Sequence, residues 1–160
     1  MIENDRVDKA PSSEDSTDGE IATSSLWQTY HNFGASRWNS FSLGVTLGTT
    51  TASTRNMDVS SGAFAGTWQA LTTGNCGSSG IWTNNRVTVQ YNDNTTGSLS
   101  AVQKEAVATH ELGHALGSAH AGTVNCGNPA IMYSDPAWEV TQCGTGYPYA
   151  DDRAAIDPLY

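Results

Sequence analysis

The chain has 160 residues, a formal net charge of −9, five tryptophans and six tyrosines. That length supports one well-buried core rather than two domains, and no apolar run approaches the roughly 20 residues of a membrane span. With acids in excess and Arg37, Arg55, Arg86, Lys104 and Arg153 scattered, nucleic acid is excluded as an expected partner, and so is a membrane.

In chain order, residues 1–22 read as an acidic tail. The first twenty residues hold seven acids against Arg6 and Lys9, so they carry −5 and the remainder −4. Few apolar side chains interrupt the Ser, Asp and Glu, which predicts a disordered extension or a propeptide remnant. No apolar stretch follows Met1 as a secretory signal requires. The folded domain is expected over residues 23–160.

Leu26, Trp27, Tyr30, Gly34, Trp38 and Phe41 recur at helical spacing, predicting an amphipathic helix over residues 24–40. Leu43, Val45 and Leu47, then Met57 and Val59, then Trp68 and Ala70, then Val87, Val89 and Tyr91 alternate as strand residues do. Ser100 followed by Gln103 makes a capping box, and no proline interrupts residues 101–116, so a second helix of about four turns is expected there. Ala106, Ala108, Gly113 and Ala115 would let it lie close to a sheet, while Val102, Val107, Leu112 and Leu116 supply bulk for the core. A short closing helix is expected near residues 151–157, with Asp151 and Asp152 favouring its dipole and Pro158 ending it. The fold class is mixed α+β.

Three of the four histidines fall within eleven residues, His110-Glu111-Leu112-Gly113-His114-Ala115-Leu116-Gly117-Ser118-Ala119-His120. Residues four apart on a helix project within about 40° of one another with Cβ atoms about 5–6 Å apart, so His110 and His114 can share one ion. A continued helix would carry His120 about 9 Å farther along the axis and about 120° off that face. The helix must therefore end first. Gly117 is placed to end it, because glycine accepts the left-handed conformation that closes a helix and returns the chain. Three imidazoles leave a fourth tetrahedral position for water, the arrangement of a single catalytic zinc. Glu111, about 100° round the helix from His110, is too far round to replace a histidine but within reach of that water, where a general base belongs.

The motif resembles that of the metzincin zinc endopeptidases, in which these residues are followed by a turn containing methionine. Ala130-Ile131-Met132-Tyr133 supplies that turn, twelve residues after His120. The resemblance implies that Met132 forms an apolar floor beneath the ion, that Tyr133 helps shape the substrate pocket, and that residues 134–147 build the pocket wall. It also implies a twisted, mostly parallel sheet of four to five strands with a first long helix, the site helix and a C-terminal helix. Protein or peptide substrate would lie along an edge strand carrying Thr67, Trp68, Gln69 and Ala70, pairing through backbone hydrogen bonds. Residues 149–156 resemble the closing helix of the matrixin branch. A snapalysin carries aspartate in place of His120, so a small secreted microbial enzyme of matrixin-like type is favoured over a snapalysin-like one. Ala121 departs from the residue that follows the third histidine in the major branches. No acid or histidine lies between Asp58 and Asp93, so the matrixins' structural zinc and calcium loop finds no ligands there and a calcium requirement stays open.

Cys126 and Cys143 bracket the methionine turn with sixteen residues between them, and a bridge closing such a loop contributes about 3 kcal/mol in the chain-entropy picture. Cys76 is left free, paired outside the chain, or competing for that bridge. A disulfide points to an oxidising compartment and hence to secretion. A monomer is expected. Two other readings stay open: a catalytically silent zinc-containing module of the same fold that binds protein, which leaves Glu111 without a task, and zinc-dependent hydrolysis of a non-peptide amide or ester.

Overall fold

A computed structural model of the chain describes residues 18–19, 25–49, 56–76, 82–122, 125–144 and 146–159. The expected acidic tail lies outside them apart from the backbone of Asp18–Gly19, and so does the side chain of Cys76.

Helix α1 (Ser25–Asn39) buries Trp27 and Trp38, eleven residues and three turns apart. Strands β3 (Met57–Gly62), β4 (Ala70–Cys76) and β5 (Trp82–Asn92) make the body of the sheet. β5 is central, pairing parallel with β3 and antiparallel with β4, which lies at the edge. Two short segments, β1 (Asp18–Gly19) and β2 (Gly48–Thr49), extend the opposite side by a few backbone pairings. The expectation of four to five mostly parallel strands is thus corrected to a mixed body of three. The alternation at Leu43, Val45 and Leu47 misled because Val45 and Leu47 are buried without a strand. Asn39 satisfies Leu47 instead: its side-chain amide donates to the Leu47 carbonyl at 2.7 Å and accepts from the Leu47 N–H at 2.8 Å, replacing a neighbouring strand.

One face of the sheet carries Met57, Val59, Val87, Val89 and Tyr91 into the core, where the Tyr91 ring stacks on Trp27 at 3.7 Å. After a single turn of helix, α2 (Asp93–Thr96), helix α3 (Ala101–Ala115) begins on the expected capping box, Ser100 and Gln103 each closing on the other's backbone. Two glycines set how closely α3 is approached. A Cβ on Gly34 of α1 would stand 3.0 Å from the Thr109 backbone, and one on Gly113 would collide with the Met132 sulfur. The Trp38 indole N–H donates to the Thr109 carbonyl at 2.8 Å, locking α1 to α3.

Helix α4 (Pro136–Cys143) has Asp135 as N-cap, proline in its first turn and Gly144 in left-handed conformation after its end. Cys126 and Cys143 are disulfide-bonded, so the bridge fastens α4 to the chain segment before the methionine turn. Helix α5 (Ala150–Ile156) and a 3-10 turn (Asp157–Leu159) close the chain. No helix among the described residues is long and apolar enough to cross a membrane.

Glu139 of α4 is fully buried, and neither carboxylate oxygen has a hydrogen-bond partner. Burial, helped by the nearby Asp152 carboxylate and opposed by the Ala130 N–H dipole, raises it from 4.5 to about 7. The folded chain therefore keeps a proton that the unfolded chain releases between these values, so this group's contribution to stability falls as pH rises through that window. After local relaxation the loss is expected to be about 2 kcal/mol. Glu139→Met should accordingly raise the melting temperature at pH 8 and change it little at pH 5. Equal shifts at both pH values in thermal unfolding would contradict the assignment.

Candidate metal centre

α3 supplies His110, Glu111 and His114 from its last two turns, with His110 3% and Glu111 5% exposed. The helix then stops in a Schellman closure: Gly117 takes a φ of 96°, its N–H donates to the His114 carbonyl at 2.9 Å, and the Ser118 N–H donates to the Gly113 carbonyl at 2.9 Å. This reversal is the one Gly117 was expected to make. It returns His120 to the face shared by His110 and His114.

The three Nε2 atoms stand 3.0, 3.1 and 3.2 Å from one another. The Nδ1 atoms of His110 and His114 lie 2.8 Å from the carbonyl oxygens of Ile131 and Ser118. A carbonyl only accepts, so both Nδ1 atoms carry the proton and both Nε2 atoms present lone pairs to the common point. Burial holds all three imidazoles below their usual range, His110 to about 3 with His114 adding to the effect and His114 to about 4, so the group is neutral at pH 7. Lone pairs converging this closely repel unless a cation lies between them. Nitrogens held about 2.0–2.1 Å from a tetrahedral ion are about 3.3–3.4 Å apart, so these residues fit a metal ion with little adjustment. The three histidines form a group that could hold one.

The methionine turn backs this group. Met132 is buried against Gly113, and the Met132 carbonyl accepts from Ala121 N–H at 2.8 Å, tying the stretch after His120 to the turn. Asp152 of α5 holds the turn from below. Its Oδ2 accepts from Ile131 N–H at 2.9 Å and Tyr149 N–H at 2.7 Å, and its Oδ1 from Met132 N–H at 3.2 Å. In sequence, Asp152 was legible only as a dipole-favouring acid; its reach to the turn had no local signal.

Glu111 points towards the sheet, where the Thr72 hydroxyl donates to its Oε2 at 2.6 Å. Burial raises the Glu111 carboxyl from 4.5 to about 7, against the lowering effect of Thr72. The group therefore sits poised between acid and base near neutral pH.

An open cleft of about 960 Å³ contains this centre, bordered by residues 67–74 on one side and by 117–120 and 134–136 on the other. Thr67, Trp68, Gln69 and Ala70 line it, and the first three precede the edge strand, which runs Ala70–Cys76. Their loop is shaped by the fully buried Asn92, whose side chain accepts from Phe64 N–H at 3.1 Å and donates to the Trp68 carbonyl at 3.2 Å. Tyr133 stands apart from the residues that line the cleft: its ring is buried and its hydroxyl donates to the Asn128 carbonyl at 2.8 Å.

Compared with known proteins, the chain matches no protein-family model and no curated protein sequence.

Proposed function

We propose that the chain is a secreted zinc-dependent endopeptidase of metzincin, matrixin-like type, with His110, His114 and His120 as ligands and Glu111 as general base and acid. One observation carries the reading: three neutral imidazoles bring their Nε2 atoms to one point, two of them with lone pairs facing it, beside a buried carboxyl in an open cleft walled by an edge strand.

When bound there, zinc supplies Lewis acidity, lowering the pKa of water towards about 7 and polarising a carbonyl. The chain's own residues do the rest. The edge strand β4 offers backbone groups to an extended peptide, which places a scissile amide across the cleft. Glu111 takes a proton from the attacking water as the new C–O bond forms. It then gives that proton to the amide nitrogen as the C–N bond breaks, regenerating the carboxylate. The disulfide supports an oxidising compartment.

The test combines cleavage with metal analysis. Unfolded casein should be cut into peptides by a chain holding one zinc per molecule. 1,10-Phenanthroline should stop cleavage and equimolar zinc should restore it. A chain that binds zinc tightly yet leaves every peptide bond intact would show the reading wrong and favour a protein-binding role.

A further inference from the structure

A short hydrogen bond runs from the Thr72 hydroxyl, on the edge strand, to the carboxylate of Glu111. β4 pairs residue by residue with β5 around it, Ala70 with Tyr91 and Thr72 with Val89, so the Thr72 backbone is fixed. Leu71, its neighbour on the opposite face, is 43% exposed. Strand alternation puts Thr72 on the α3 side, and threonine branching at Cβ restricts the hydroxyl further. Its single proton has two acceptors within reach: the Glu111 Oε2 at 2.6 Å and the Glu111 carbonyl at 3.2 Å. The shorter contact is to the charge-bearing oxygen, which is the stronger acceptor. A glutamate carboxylate turns about several torsions, and reactive geometry is lost when a proton-transferring group strays by about 1 Å.

We propose that Thr72 is a positioning residue of the hydrolytic step, holding Oε2 of Glu111 so that Oε1 is the oxygen that takes the proton from water and returns it to the leaving nitrogen. The inference rests on the proposed endopeptidase activity. It adds a link from substrate to base, because the strand that pairs with the peptide also orients the group that acts on it. The step balances: an O–H bond of water breaks as the C–O bond forms, and the proton held on Oε1 passes to nitrogen as the C–N bond breaks.

Thr72→Val keeps the side-chain shape and the strand-favouring branch while removing the donor. It should lower kcat about 10-fold to 30-fold with KM changed less than about twofold and zinc content unchanged. Thr72→Ser should recover kcat to within about threefold, since it restores the hydroxyl. In the Glu111→Ala background, Thr72→Val should have no further effect on residual cleavage. The metal-free protein gives a readout independent of activity: Thr72→Val should lower the melting temperature when Glu111 is present and leave it unmoved when position 111 is alanine.

Full kcat in Thr72→Val, a loss confined to KM, or equal losses in both backgrounds would overturn the assignment. So would additive melting shifts in the metal-free cycle, even if the wild-type chain cleaves. A wild-type chain that binds zinc and cuts nothing instead removes the endopeptidase reading, and this inference with it, whatever the melting cycle shows.

Discussion

Glu111→Gln is expected to reduce peptide-bond cleavage by at least about 10³-fold while leaving one zinc per chain bound. The substitution is nearly isosteric, and the glutamine amide oxygen can still accept the Thr72 hydroxyl that now reaches Oε2 at 2.6 Å. What is lost is the ability to take a proton and give it back. General acid–base catalysis contributes about 10²–10⁴-fold, and here one group serves both transfers, so the loss falls in the upper part of that range. Ligand orientation is set by other groups: the Ile131 and Ser118 carbonyls hold the Nδ1 atoms of His110 and His114 at 2.8 Å. Metal content by mass spectrometry and peptide release from unfolded casein, measured on the same preparation, separate the two effects. Cleavage within tenfold of wild type would remove Glu111 from the mechanism, and loss of zinc would make it a structural partner of the ligands.

What the sequence disclosed and what it hid divide along the range of the interactions involved. The capping box at Ser100 and Gln103, the helix end at Gly117 and the spacing of His110 and His114 are set within a few residues of themselves, so their chemistry is readable in order. Helix α4 also carried local signals, Asp135 and Pro136 at its start and Gly144 after its end, but its eight residues lay within a segment read as pocket wall. Val102 was assigned to the core by period, yet it is 55% exposed in the first turn of α3. The polar supports could not be read at all. Thr72 is 39 residues from Glu111, and Arg37 is 68 from Glu105, whose carboxylate it meets at 3.3 Å rather than leaving it to solvent. Only the folded topology brings each pair together. The histidine motif announces the chemistry, whereas the groups that orient it are scattered through the strands and the C-terminal helix.

Asp152→Asn should destabilise the metal-free chain by about 3–5 kcal/mol, a large effect for the exchange of one atom. Asp152 is 2% exposed and uses both oxygens: Oδ2 for the Ile131 and Tyr149 N–H groups and Oδ1 for that of Met132. Asparagine has one acceptor oxygen and must turn an NH2 group towards a backbone donor, leaving at least one buried N–H unpaired. Hydrogen bonds to a charged acceptor are worth about 1.5–3 kcal/mol each, and an orphaned donor adds its own desolvation cost. Burial raises the Asp152 carboxyl, but the three backbone donors pull the other way, which is how an acid this deep stays useful as an acceptor. The consequence extends to the metal centre, because Ile131 gives its N–H to Asp152 and its carbonyl to His110 Nδ1. Loosening the turn frees the His110 ring, and outer contacts of this kind are worth about 10–100-fold in metal affinity. Asp151→Asn, one residue away and exposed, serves as the control and should stay within about 0.5 kcal/mol of wild type. Urea unfolding of the metal-free chains and a competitive zinc titration measure the two effects separately. If Asp152→Asn matches Asp151→Asn in both, the turn is held by packing of Met132 on Gly113 and not by the carboxylate.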